Sequence, residues 1–247
     1  MDVRQVALTA VFIAVVFVFT VIVAISIPAT HGFWNVGETG VYLAALVGGP
    51  IVGAIAGGIG SALADLVLGY AIYAPGTLVI KASEGFITGF LYDVLYRGRR
   101  KNIVYWVLLA VIAVICSLVT VFYYFGSSAG GITIELSSEL LHSGISFTIH
   151  YTILIAIVII IGALSCLLVV LRRETPIMVF SCLAGGVIMV TGYFLYETLI
   201  FGSKIALVEV IPNFMQVLIG IILAVPVVKK LRELGVLVED KGAVGKV

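Results

Sequence analysis

Uncharged runs at 6–30, 103–125, 145–171, 175–196 and 210–228 are each long enough to cross a bilayer. A hydrocarbon core takes about 20 apolar residues in a helix. Only helices and closed barrels satisfy their own backbone polar groups there. Runs of this length predict an all-α fold, a polytopic helical membrane protein. Composition agrees, since a chain 62% hydrophobic and 11% charged has more apolar sequence than a soluble core needs. The run at 6–30 is too long for a signal-peptide core and reads as a retained first span. Residues 76–96 form another span, interrupted by Lys81, Glu84 and Asp93. The stretch 36–70 fits either one long helix or two short ones.

The basic residues decide between these. Arg4, the Arg97/Arg99/Arg100/Lys101 cluster, Arg172/Arg173 and the Lys229–Lys246 group hold 12 of the 14 Lys and Arg. The positive-inside rule puts all four groups in the cytoplasm. Arg4 and Arg97 share a side only if an even number of spans separates them. Two short helices in 36–70 meet that condition and one long helix does not. The "GGP" at 48–50 supplies the break, because Gly ends a helix and Pro suits the first position of the next. The expected topology is about eight helices with both termini inside. Loops near 29–38, 70–76, 126–144 and 200–205 then face outside.

Polar residues fall at one level of this arrangement. Ionisable groups in a bilayer are costly and are usually paired or functional. Asp65 lies late in an outward-running helix, and Lys81 and Glu84 lie roughly 8–12 Å into an inward-running one. Glu197 is near the outer end of its helix. Glu209, Asn213 and Gln216 open the last helix, and Phe33, Trp34, Asn35 and Glu38 belong to the first outer loop. Lys81 could simply neutralise Glu84 or Asp65, and Asn213 and Gln216 could merely bond neighbouring helices. Their convergence predicts an outward-facing polar pocket with the Phe33–Trp34–Asn35 loop as an aromatic lid.

Gly49, Gly53, Gly57 and Ser61 recur every four residues, and Gly85 and Gly89 repeat the spacing. Such ridges let helix backbones approach closely. Cys116, Cys166 and Cys182 lie in apolar runs and read as small buried residues, with neither a metal spacing nor a disulfide framework. His31, His142 and His150 are too scattered for a metal site. No G-x-x-x-x-G-K-[ST] or H-E-x-x-H occurs. The sequence therefore predicts no enzyme, no cofactor and no nucleic-acid partner.

The block "FWNVGETGVYLAALVGGPIVGAIAGGIGSALADLVLGYAIYAPGTLVIKASEGFITG", with "GYFLYE" and "IPNFMQVLIG" later, resembles the substrate-binding S component of energy-coupling factor (ECF) vitamin transporters, the riboflavin type in particular. The resemblance covers roughly 1–100 and 176–230. It implies a multi-pass protein of a prokaryotic plasma membrane that captures a vitamin from outside. It also implies a coupling membrane protein carrying two cytoplasmic ATPases, which explains the missing ATP motif. Tyr193, in the second block, joins the candidate site residues. In the family an A-x-x-x-A pair in the first helix meets the coupling protein, and Ala10 and Ala14 in "AVFIA" supply it here.

The resemblance lapses at 103–171. The expected organisation is one membrane domain with a six-helix core at 1–102 and 174–230. A two-helix hairpin is inserted at 103–171, and a cytoplasmic tail follows at 231–247. Phe33 and Trp34 suit stacking on a planar ring, and Asn213 and Gln216 suit a heterocycle with donors and acceptors. A riboflavin-like vitamin is the expected ligand. Two other functions fit the residues. One is a solitary secondary transporter coupling ions through Asp65, Glu84 or Glu197. The other is a membrane enzyme acting on a lipid-like or vitamin precursor.

Overall fold

The computed structural model describes residues 3–28, 30–96 and 174–235, and the backbone at 132–136 and 145–149. Its helices are α1 (Val3–Ile22), α2 (Glu38–Leu68), α3 (Ala74–Tyr96), α4 (Glu174–Phe201) and α5 (Ser203–Glu233). Two antiparallel hairpins accompany them, β1 (Ala24–Ile27) with β2 (Gly32–Asn35) and β3 (Ile132–Leu136) with β4 (Ile145–Ile149). Among the described residues, α1, α2, α4 and α5 are long and apolar enough to cross a membrane. α3 has a similar length but carries Lys81, Glu84 and Asp93. The expected span at 103–125 and most of that at 145–171 lie outside the described residues, as do Arg97–Lys101 and Arg172/Arg173.

α2 is broken inside. Gly49 has φ 81° and ψ −172°, a conformation that costs glycine little and other residues much. Pro50 follows, and as the first residue of a new helical segment it loses no backbone hydrogen bond. The chain reverses here. A Cβ built on Gly53 would lie 2.8 Å from Ala45 Cα, and one on Gly57 3.1 Å from the Val41 side chain. The break expected at 48–50 is thus a turn between two antiparallel arms. The first arm, 38–48, is only about 16 Å long at helical rise, roughly half a hydrocarbon core. Its start, Glu38, is fully buried rather than part of an exposed loop.

Where the sequence suggests one apolar span to residue 30, α1 stops at Ile22 and β1 begins at Ala24. Ile25 pairs with Trp34 and Ser26 with Phe33. The β-branched run "VIVAISI" suits a strand as well as a helix, and the pairing decides it. The run at 145–171 likewise opens with a strand, Ile145–Ile149.

α1 packs on α2, α2 on α3, α3 on α4, α4 on α5, and α5 returns to α2. The centre holds Tyr42, Leu46, Tyr92, Met178, Met189 and Val217. The two small-residue ridges meet one another. A Cβ on Gly53 would lie 2.7 Å from the Gly85 carbonyl oxygen, and one on Gly89 2.6 Å from the Pro50 nitrogen. Gly60 and Gly40 face the α1 backbone in the same way, at Ile13 and Val16. At the far end of the bundle Arg232 stacks on Tyr92 and Tyr96 and bonds Glu174 at 2.6 Å, tying α5 to α3 and α4.

Gly53→Leu must push α2 away from α3 backbone, which cannot yield as a side chain does. The variant is expected to lose about 1–3 kcal/mol or more. It should show as a lower monodisperse fraction in detergent and a lower unfolding temperature.

Candidate functional site

The helices bring polar side chains to the end of the bundle that carries the β1–β2 hairpin. Each helix contributes them at helical spacing. α3 and the residues before it present Tyr73, Thr77, Lys81 and Glu84, and α4 presents Tyr193 and Glu197. α5 presents Glu209, Asn213 and Gln216. Residues three or four apart share a helix face, so each set points one way.

A cavity of about 30 Å³ lies where these faces meet, room for about two water molecules. Of the residues expected at the site, Phe33, Asn35, Asp65, Lys81, Tyr193, Glu197, Asn213 and Gln216 line it. Gly32, Tyr73, Thr77 and Glu209 line it as well. Glu209 was visible in the sequence as part of the polar level. Tyr73 and Thr77 add to the expected set from eight and four residues before Lys81, on its side of the helix.

Three expected residues stand outside the lining. Trp34 alternates with Phe33 and Asn35 along β2, so its side chain leaves the opposite face of the strand. Glu38 and Glu84 lie behind the cavity, where Lys81 Nζ bonds both, Glu84 at 3.2 Å. Both glutamates are 0% exposed. Asp65, one possible partner for Lys81, instead lies beside the Thr77 side chain. The Tyr193 hydroxyl donates to Thr77 Oγ1 at 2.9 Å. Lys81 Nζ also lies 5.7 Å from the centre of the Tyr193 ring.

The hairpin is bonded to the helices beneath it. Thr30 donates its hydroxyl to Glu209, and the Tyr73 hydroxyl donates to the Thr30 carbonyl at 2.9 Å. Burial raises the Tyr73 phenol above its ordinary range, and the carboxylates of Glu197 and Glu209 push it the same way. Phe33 stacks on Tyr70, ring centres 4.5 Å apart. Asn35 Oδ1 accepts from the Gly37 N–H at 2.8 Å, a turn that leads into α2. Gln216 Nε2 donates to Asn213 Oδ1 at 3.1 Å, so these two amides hold one another.

The outer face of α1 presents Ala10 and Ala14, both exposed, while Thr9, Val16 and Thr20 on its other face are buried.

Residues 1–165, more than half the chain, match the family described as ECF-type riboflavin transporter, S component. The chain belongs to this family. The matched stretch takes in most of 103–171, the segment expected to be an insertion. A protein from Pyrococcus woesei, described as an uncharacterized protein in the gap 3'region, is 52% identical over 73 residues, covering 30% of this chain and 49% of its own length. The chain thus spans about half the length of that relative. The S component family is a transporter component rather than an enzyme family, in keeping with the expectation of no enzyme.

In this S component Lys81 is the ammonium between two dry carboxylates. Lys81→Met leaves Glu38 and Glu84 buried together without it, an expected loss of about 3–5 kcal/mol. Adding Glu38→Gln and Glu84→Gln should recover much of that loss. The unfolding temperatures of the purified single and triple variants in detergent check both halves.

Proposed function

We propose that this S component captures a small heterocyclic vitamin from outside a prokaryotic cell. It then delivers the vitamin through an ECF coupling protein carrying two cytoplasmic ATPases. Both termini face the cytoplasm, and the β1–β2 hairpin faces out. The observation that carries this reading is the cavity itself. It is a polar and aromatic site inside a membrane protein of this family, with Gly32, Phe33 and Asn35 of the hairpin in its lining.

Riboflavin, the substrate in the family's description, is the first compound to test. As it stands the cavity has room for water only, so a ligand enters by moving the hairpin or the side chains beneath it. Phe33 and Asn35 serve as the lid. A titration of purified protein with riboflavin, together with native mass spectrometry of what it retains, tests capture directly. Phe33→Ala is expected to weaken ligand binding by about 1–3 kcal/mol, the scale of burying one large apolar side chain. Trp34→Ala, on the other face of β2, should have a smaller effect. Equal loss in the two variants would mean that the strand turns over when ligand binds.

Ala10 and Ala14 are read as the contact with the coupling protein. Their exposure on α1 supports this, and close helix approach needs small side chains. The Ala10→Trp/Ala14→Trp double variant should bind ligand normally and lose ATP-driven uptake in reconstituted vesicles. Retained complex formation with lost ligand affinity would assign the pair to the pocket instead.

A further inference from the structure

Carboxyl groups outnumber basic groups around the cavity. Asp65 from α2, Glu197 from α4 and Glu209 from α5 line it. Lys81, the basic residue among the lining side chains, is already bonded to two further carboxylates, Glu38 and Glu84. His31 and Lys204, at the same end of the bundle, are exposed. Glu209 has the Thr30 hydroxyl. Glu197 Oε2 and Asp65 Oδ2 have no hydrogen-bond partner among the described residues, although these side chains are only 1% and 4% exposed. A buried carboxylate oxygen in that state is costly unless it takes up a proton or a donor or positive group meets it.

An independent observation gives the form of that positive group. The Tyr193 ring in the cavity wall already holds one ammonium, that of Lys81, near its face. An aromatic face attracts organic cations through its quadrupole. Phe33 is a second ring in the lining. Among the described residues no group of His, Cys, Asp and Glu is placed to hold a metal ion.

We propose that the cavity takes an organic cation, a flat heterocycle with a fixed positive charge or a protonated amine. Its charge sits between Asp65 and Glu197, and its ring lies against Phe33 and Tyr193. This rests on the reading of the cavity as the substrate site and adds a charge requirement to it. Riboflavin, which is neutral, meets the ring requirement and not the charge.

The test uses the purified protein and a matched pair of probes, 1-methylnicotinamide (a cation, methylated on the ring nitrogen) and nicotinamide (neutral). Thiamine is a second cation, and riboflavin and nicotinate are controls. Affinity is measured by calorimetry and by thermal shift at fixed ionic strength. At least one cation is expected to bind, tenfold or more tightly than its neutral counterpart or the controls. Glu197→Gln and Asp65→Asn should each weaken it by tenfold or more. Their ligand-free unfolding temperatures should stay unchanged or rise, which separates lost recognition from lost folding.

If neither cation binds, the proposal falls. Preferential binding of riboflavin or nicotinate, unchanged in Glu197→Gln, also overturns it. In that case sensitivity of the binding to Phe33→Ala would keep the cavity as the substrate site. Binding that responds to neither variant would overturn both readings.

Discussion

The backbone contact between α2 and α3 fixes the position of nearly everything else. Gly53 and Gly85 face one another with no side chain between them, and Gly57 lies against the Lys81 carbonyl. In lipid, helices gain little from apolar burial against one another, so close van der Waals approach becomes a leading source of association. The reversal at Gly49 adds the other half of the arrangement, since it folds the first arm of α2 back beside the second. Glu38, at the start of that arm, therefore arrives within bonding distance of Lys81 on α3. A straight helix over 38–68 would hold Glu38 far from the Gly53–Gly85 contact.

The buried charges then act as a floor beneath the cavity. One ammonium shared between two carboxylates has strict geometry, and each partner is too dry to be left alone. Such a group specifies how α2 and α3 sit, and α5 closes on it where Gly220 packs against Glu38. The cavity lies above this floor and below the hairpin. Its walls come from helices that are far apart in sequence, so no local segment could form it alone.

Periodicity and charge placement made much of this legible. The small-residue spacing announced the ridges at 49–61 and 85–89, and parity of the basic groups required a break near "GGP". Residue type and depth marked Asp65, Lys81, Glu197, Asn213 and Gln216, all of which line the cavity. What stayed hidden depended on tertiary contact. Nothing in "NVGETG" says that Glu38 is buried rather than solvated, because that follows from the shortness of the first arm of α2. Nothing in the apolar run at 6–30 says that it stops being helix at Ile22, because strand pairing with Gly32–Asn35 decides that. The alternation of β2 then sends Trp34 away from the cavity and Phe33 into it. Tyr73 and Thr77 were legible in principle from their spacing to Lys81, but a Tyr or Thr alone carries too little chemical signal.

The hairpin differs in kind from what lies below it. Its ties to the helices are a hydroxyl–carboxylate bond at Thr30, a phenol–carbonyl bond from Tyr73 and one aromatic stack. Each is worth on the order of 1 kcal/mol net, and water or a ligand can replace it. The helix contacts beneath are backbone against backbone and cannot be traded in this way. Opening at the hairpin therefore costs far less than opening between helices, so the entry route follows from the kind of contact at each level. A ligand that displaces Thr30 from Glu209 or Phe33 from Tyr70 must supply replacements for both. An aromatic ring beside a hydrogen-bond donor or a positive charge does so, and the broken ties then become part of its recognition.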